Sequence, residues 1–539
     1  MKIKNIFIGV LVVGTLLSPK ALATTYFDVP ANHWAAAVIS EAADAGIMQG
    51  RGNGIFGLGD KIKRSEFASM LVKMMKLDKS TSTISLFEDI KSDDWFFYDV
   101  NTLAEYNIYN DNTYRPNDYI TRREMAVMLV KALGYETLAK DEINTIFSDV
   151  VEDEGYISLA YNLGILRGKS DTIFDPEGYA LREEGATMMM RIFNKYNSKL
   201  KEVHGFYAIS SWGQRDIAAQ MDTVSFGWSR LQYTDDGEVL LNQTKNGGND
   251  WYVPNGYEDA IELMRSNDVK VNLAVTMTDN EDSKEILLNK NNRLEAINQL
   301  IKASKEFDGI TIDFEGMKGE ELKNSFNSFL KELREELGNK QLYVMVHPVL
   351  KNSSDYYDAY DYKTIGEYAD RIILMAHDYS ANRIPENLLN TNFIATPVTP
   401  FNEVYIALKY ITDPIFGVPD INKIQLAIST ASTTAWNTLD KKIIDSVSIH
   451  PSIETVQKRL AQIDTEIMYS QEYKNPYAWY ITDDEQQILL WYEDSRSIKD
   501  KIKLSKMFGV NSISVWRIGA IPDGASKLYM NVWDTIIAE

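Results

Sequence analysis

Cysteine is missing from all 539 residues, which excludes a disulfide framework and leaves core burial to stabilise the chain. Positive charge is short as well: 56 Lys and Arg stand against 77 Asp and Glu, a formal charge of −21. That balance excludes a broadly basic surface, so no nucleic-acid partner is expected. Long apolar runs are lacking too. The one candidate, Ile6 to Leu17, is short of a membrane span. With Lys2 and Lys4 before it and Ala21-Leu22-Ala23 after it, residues 1–23 read as a secretory signal peptide cut before Thr24. No later segment reaches transmembrane length, so the mature chain is expected to be exported, with no membrane-spanning segment. Histidine is scarce. His347 and His377 fall at adjacent strand ends with no third ligand at convincing spacing, so no metal and no cofactor are expected. An acidic exported chain is repelled by anionic wall polymers unless it carries a dedicated site for them.

The first third supplies a candidate. Three units of roughly 60 residues open with an aromatic-x-Asp-aliphatic turn at Asp28, Asp89 and Asp149, a repeat signature. An aromatic follows in each (Trp34, Trp95, Tyr156), then a helical pattern closed by Gly46, Asn107 or Gly164, residues suited to a left-handed terminus. A second helix begins at Ile62-Lys63-Arg64-Ser65-Glu66, Ile120-Thr121-Arg122-Arg123-Glu124 and Ala180-Leu181-Arg182-Glu183-Glu184. The guanidinium forks of Arg64, Arg122 and Arg182 suit either a ligand carboxylate or the neighbouring Glu66, Glu124 and Glu184.

From Lys201 onward short β-rich runs alternate with helical patterns, the mark of a parallel α/β fold. Eight strands are expected: 204–209, 223–228, 270–276, 309–315, 342–347, 371–378, 424–429 and 512–516. These make a (β/α)8 TIM barrel. One helix is expected over 319–337, and an antiparallel insertion over 466–493 around an Asp-Asp-Glu turn. The segment Asp308-Gly309-Ile310-Thr311-Ile312-Asp313-Phe314-Glu315 puts Thr311, Asp313 and Glu315 on one face of a strand that ends at Gly316. Two acids there suit a catalytic pair at a barrel mouth, or acids capping the next helix. The last strand ends Ser514-Val515-Trp516-Arg517-Ile518-Gly519.

The 307–315 segment resembles the Asp-Gly-x-Asp-x-Asp-x-Glu signature of family 18 glycoside hydrolases, with Thr311 in place of an Asp. Met375-Ala376-His377-Asp378-Tyr379 is similar to that family's Met-x-Tyr-Asp, with His377 for the tyrosine. The Trp-Arg-Ile-Gly ending is close to that of its peptidoglycan-acting branch. The three units resemble S-layer homology domains, placing repeats at 24–84, 85–144 and 145–199 and the barrel at 200–539. These resemblances imply a cell-surface glycosidase acting after N-acetylated sugars. Glu315 would be the general acid and Asp313 the carboxylate that orients the acetamido group. Asp378, Tyr379 and His377 would hold that group over Trp516, which by residue type alone fits core packing better. They also imply wall-polysaccharide binding by Arg64, Arg122, Arg182, Trp34 and Trp95. The expected substrate is peptidoglycan or a chitin-like glycan. The alternatives are a chitinase-type hydrolase or a non-catalytic glycan-binding barrel.

Overall fold

The computed structural model describes residues 24–142, 145–350, 357–380, 382–524 and 526–539. The signal peptide expected over 1–23 lies outside them. Two compact units result, one running to Leu133 and adding Asp175–Arg191, the other comprising Gly134–Phe174 and Ile192–Glu539.

In the repeats each unit contributes two helices: Ala36–Asp44 and Arg64–Met75, Phe97–Glu105 and Arg122–Ala132, Glu154–Asn162 and Arg182–Tyr196. Gly46, Asn107 and Gly164 close the first helices at positive φ, between 56° and 70°. The repeated Asp carboxylates tie down the following turns. Asp28 accepts from the amides of Phe56, Gly57 and Leu58, Asp89 from Tyr114 and Arg115, and Asp149 from Phe174. The second helices join in a cycle. Arg64 N donates to Asp118 O, Arg122 N to Gly178 O and Arg182 N to Asp60 O. Each repeat thus satisfies helix-start donors of another, as a closed pseudo-threefold array requires.

The barrel strands are β1 (Glu202–Tyr207), β2 (Thr223–Tyr233), β3 (Lys270–Met277), β4 (Gly309–Phe314), β5 (Gln341–Val346), β6 (Arg371–Leu374), β7 (Ile424–Ser429) and β8 (Ser512–Ile518). All are parallel, and β1 pairs with both β8 and β2, closing the ring. All eight expected strands are present. The sixth ends four residues early, at Leu374, because Ala376 N turns back to Leu374 O and Asp378 takes a positive φ of 58°. The helix Glu320–Leu337 buries Leu322, Phe326, Phe329, Leu330, Leu333 and Leu337. The insertion is larger than expected. A five-stranded antiparallel sheet, Thr433–Leu439, Lys442–Ile443, Glu466–Ser470, Asn475–Ile481 and Gln487–Tyr492, follows β7. Its first strand is half threonine and asparagine, so alternation did not reveal it.

Period 2 fills the lumen in layers. At the bottom, Tyr343 and Arg371 both bond Glu202. The middle layer joins His204, Ser225, Thr311 and Ser514. Phe206, Met345, Met375 and Ala427 pack above, with Trp516 against them.

Candidate active site

β4 delivers Thr311, Asp313 and Glu315 inward at successive heights. The strand stops at Phe314, Glu315 N bonds Met277 O, and Gly316 turns the chain at φ 73°. Asp313 is buried in the barrel mouth. Its Oδ2 accepts from Thr276 Oγ1 at 2.8 Å, while Oδ1 is buried without a hydrogen-bond partner. Burial, then the charge of Glu315 beside it, pushes the Asp313 carboxyl up to about 7. The Glu315 side chain is 38% exposed, with Oε2 3.5 Å from His347 Nε2. Both acids line a cavity of about 440 Å³.

The loop after β6 closes its far wall. His377 Nδ1 bonds Asp378 Oδ2 at 2.8 Å, and Ser432 Oγ donates to Asp378 Oδ1. Burial opposes the charge on His377, but the Asp378 carboxylate outweighs it and raises its pKa. Burial likewise favours protonated Asp378, but His377 and Ser432 outweigh that and lower its pKa. Asp378 is therefore an anion fixed in place. His377 Nε2, His347 Nε2 and the Tyr379 hydroxyl are buried without hydrogen-bond partners, and their residues line the same cavity as Asp313. Residues with buried polar atoms lacking a hydrogen bond, one of them His347 with Nε2 3.5 Å from Glu315 Oε2, line one cavity and suit a polar ligand, because such an atom carries a desolvation cost until it is paired.

Trp516, half-buried near the end of β8, supplies an apolar floor. Its ring lies 5.2 Å from Phe206 and lines the cavity, and its peptide bond to Arg517 is cis. The sequence-named residues Asp313, Glu315, His377, Asp378, Tyr379 and Trp516 are thus gathered in one place. Thr311 is not among the cavity residues. It bonds Ser225 Oγ at 2.6 Å in the layer below, continuing through His204, whose ring nitrogens bond Ser225 and Ser514. Sequence reasoning missed Thr276, the residue holding Asp313. Its parity on the preceding strand, in register with Asp313, was the available signal.

Arg64 is wholly buried. Its Nε donates to Tyr114 O and its Nη1 pairs with Glu124. Arg182 repeats the pattern with Phe56 O and Glu66. The pairing therefore runs to the glutamate of another repeat and not to the arginine's own. Arg122 is buried too, whereas Trp34 and Trp95 are 64% and 66% exposed.

A family model described as glycosyl hydrolases family 18 matches residues 198–520, and one described as S-layer homology domain matches 25–68, 86–126 and 146–185. Three such domains make this a cell-surface-anchored chain. An exoglucanase, XynX of Acetivibrio thermocellus, is 29% identical over 32% of this chain, which spans only 17% of that relative's length. An uncharacterized glycosylase, YvbX of Bacillus subtilis, is 24% identical over 50% of this chain and 70% of its own. The spore cortex-lytic enzyme SleL of Bacillus cereus superposes with a TM-score of 0.50 at 18% identity, covering 62% of this chain and 73% of that one. No helix among the described residues is long and apolar enough to cross a membrane.

Proposed function

The chain belongs to glycosyl hydrolases family 18, and on that premise we propose that it is a wall-anchored N-acetylglucosaminidase acting on peptidoglycan by a substrate-assisted, retaining route. The observation that carries this reading is the orphan Oδ1 of Asp313. A buried carboxylate with one oxygen already held by Thr276 lacks one N–H donor, and the 2-acetamido group of a sugar lying on Trp516 provides it.

With the acetamido N–H on Asp313, the sugar's own carbonyl oxygen is aimed at its anomeric carbon. Glu315, open to the cavity, gives its proton to the leaving glycosidic oxygen as that bond breaks and the acetamido oxygen bonds to carbon. The resulting oxazolinium cation sits beside the Asp313 carboxylate. Glu315 then takes a proton from the water that opens the ring, restoring the acetamido group with retained configuration. Tyr379 and His377 offer unpaired polar atoms to the acetamido group from the facing loop, and Asp378 fixes the histidine. In the repeats, exposed Trp34 and Trp95 are sugar platforms, and Arg64, Arg122 and Arg182 build the grooves for a wall polysaccharide.

The test is an oligomer of N-acetylglucosamine beside its de-N-acetylated counterpart. The acetylated oligomer is expected to be cleaved and the free-amine oligomer to resist, because it lacks the nucleophile. Equal cleavage of both would overturn the route.

A further inference from the structure

Trp516 is shared by three cavities. Beside the one holding Asp313 and Glu315, a second of about 470 Å³ lies under Trp251, whose ring is 6.4 Å from that of Trp516. A third, of about 680 Å³, runs past Ser432 and His450. Arg517 lines the second and the third, and among the described residues it is the one Lys or Arg lining any of the three. Its guanidinium donates from Nη1 to Ser210 Oγ at 2.8 Å in a solvent-exposed bond and, among the described residues, forms no ion pair. Asp250 and Glu454 line the same cavities and are exposed to solvent; Glu454 feels the charge of Arg517 but makes no close ion pair with it. His450 does not compete for an anion. Its Nδ1 is committed to Thr433 O, and its Nε2 lies 3.0 Å from Ser448 Oγ. A guanidinium has five N–H donors in a planar fork, so most of its capacity is open towards these cavities. A cation without a close ion pair beside a sugar platform, in a chain of net charge −21, is placed where a neutral glycan gains little from it.

We propose that Arg517 is a specificity-determining residue, binding a carboxylate borne by the sugar next to the N-acetylglucosamine seated on Trp516. This rests on the peptidoglycan reading above. In that polymer every neighbour of an N-acetylglucosamine is a muramic acid with a lactyl ether, whereas in chitin it is another neutral sugar. The carboxylate has two sources, the lactyl group freed of its peptide or the acidic groups of an attached stem peptide. The recognition is the same bidentate fork in either case.

The experiment measures kcat/KM of the full chain and of Arg517→Gln on four substrates. These are glycan strands with stem peptides, strands stripped of peptide, stripped strands with the lactyl carboxylate amidated, and neutral N-acetylglucosamine oligomers. Loss of one charge-assisted contact is expected to lower the carboxylate-bearing substrates at least about tenfold relative to the amidated strands. Arg517→Lys, which keeps the charge without the fork, is expected to fall between. A selective loss on stripped strands assigns the lactyl group, and one confined to peptide-bearing strands assigns the stem peptide. Equal losses on all four, or none, overturn the proposal, as does a wild type that prefers the amidated strands. If the wild type cleaves nothing, the glycosidase reading fails separately. Dissociation constants of the same stripped and amidated strands then decide the role of Arg517 by the same ratio.

Discussion

Asp313 and Glu315 differ in what surrounds them, and that difference divides their labour. Asp313 is dry, held by Thr276 and pushed upward in pKa; Glu315 reaches the open cavity. Glu315→Gln keeps the shape but cannot protonate the leaving oxygen, so turnover should fall about 10²- to 10⁴-fold while glycan binding survives. Asp313→Asn should also be severely impaired. Thr311→Ala should cost far less, since its hydroxyl is spent on Ser225. Steady-state kinetics with a parallel binding assay checks this order, which near-normal turnover by Glu315→Gln would reject. His204 gives a prediction about stability. Burial lowers its pKa from 6.5 to about 3, so the fold holds it neutral while the unfolded chain takes up a proton below 6.5. This contribution is fully present above pH 6.5 and is lost as pH falls from there towards 3, at up to ~1.4 kcal/mol per pH unit. Denaturant unfolding across that range should show His204→Gln with a slope shallower by one proton; an unchanged slope would refute it. At this scale the i, i+2 spacing revealed both acids directly. Thr276 stayed hidden because its partner is 37 residues away, and only strand register makes them neighbours.

Among the elements, the second helices of the repeats are joined by buried guanidinium groups crossing from one repeat to another. The sequence motif located those arginines correctly but left open which glutamate each faces, since that depends on how three copies close on themselves. Removing Arg64 leaves the buried Tyr114 carbonyl without that donor and Glu124 with Arg115 and its capping-box bond from Thr121 N but without the buried guanidinium. Arg64→Ala should therefore cost on the order of 3 kcal/mol in the stability of the array. Trp34→Ala with Trp95→Ala should leave its melting temperature nearly unchanged yet weaken sedimentation with isolated cell walls. Wall binding untouched by the double tryptophan change would remove these rings from the binding surface. The barrel strands were legible because buried parallel strands are continuous apolar runs. The sixth was overextended because Met375 and Ala376 remain apolar past the point where the chain turns. The insertion's first strand escaped notice because threonine-rich strands lack that contrast.

For the whole molecule, the basic and apolar start at 1–23 led to the expectation of export, and the charge of −21 to the expectation of no nucleic-acid partner. The order of the two parts, a repeat array and then a barrel, was readable from the 60-residue period and the β/α alternation. What composition and period could not convey is how the barrel mouth is furnished. Its lining residues with polar atoms lacking a hydrogen bond come from β4, the end of β5 and the loop after β6, brought together only by closure of the ring. On the proposed reading, an anchored hydrolase meets first the polymer within reach of its tether, which is that of the wall itself. The most direct measurement is digestion of purified peptidoglycan by the full chain, followed by mass analysis of the borohydride-reduced fragments. The account predicts fragments whose reduced end is N-acetylglucosamine, absent when Glu315→Gln replaces the wild type. Fragments ending in reduced muramic acid, or no fragments from a protein that still binds the strands, would contradict it.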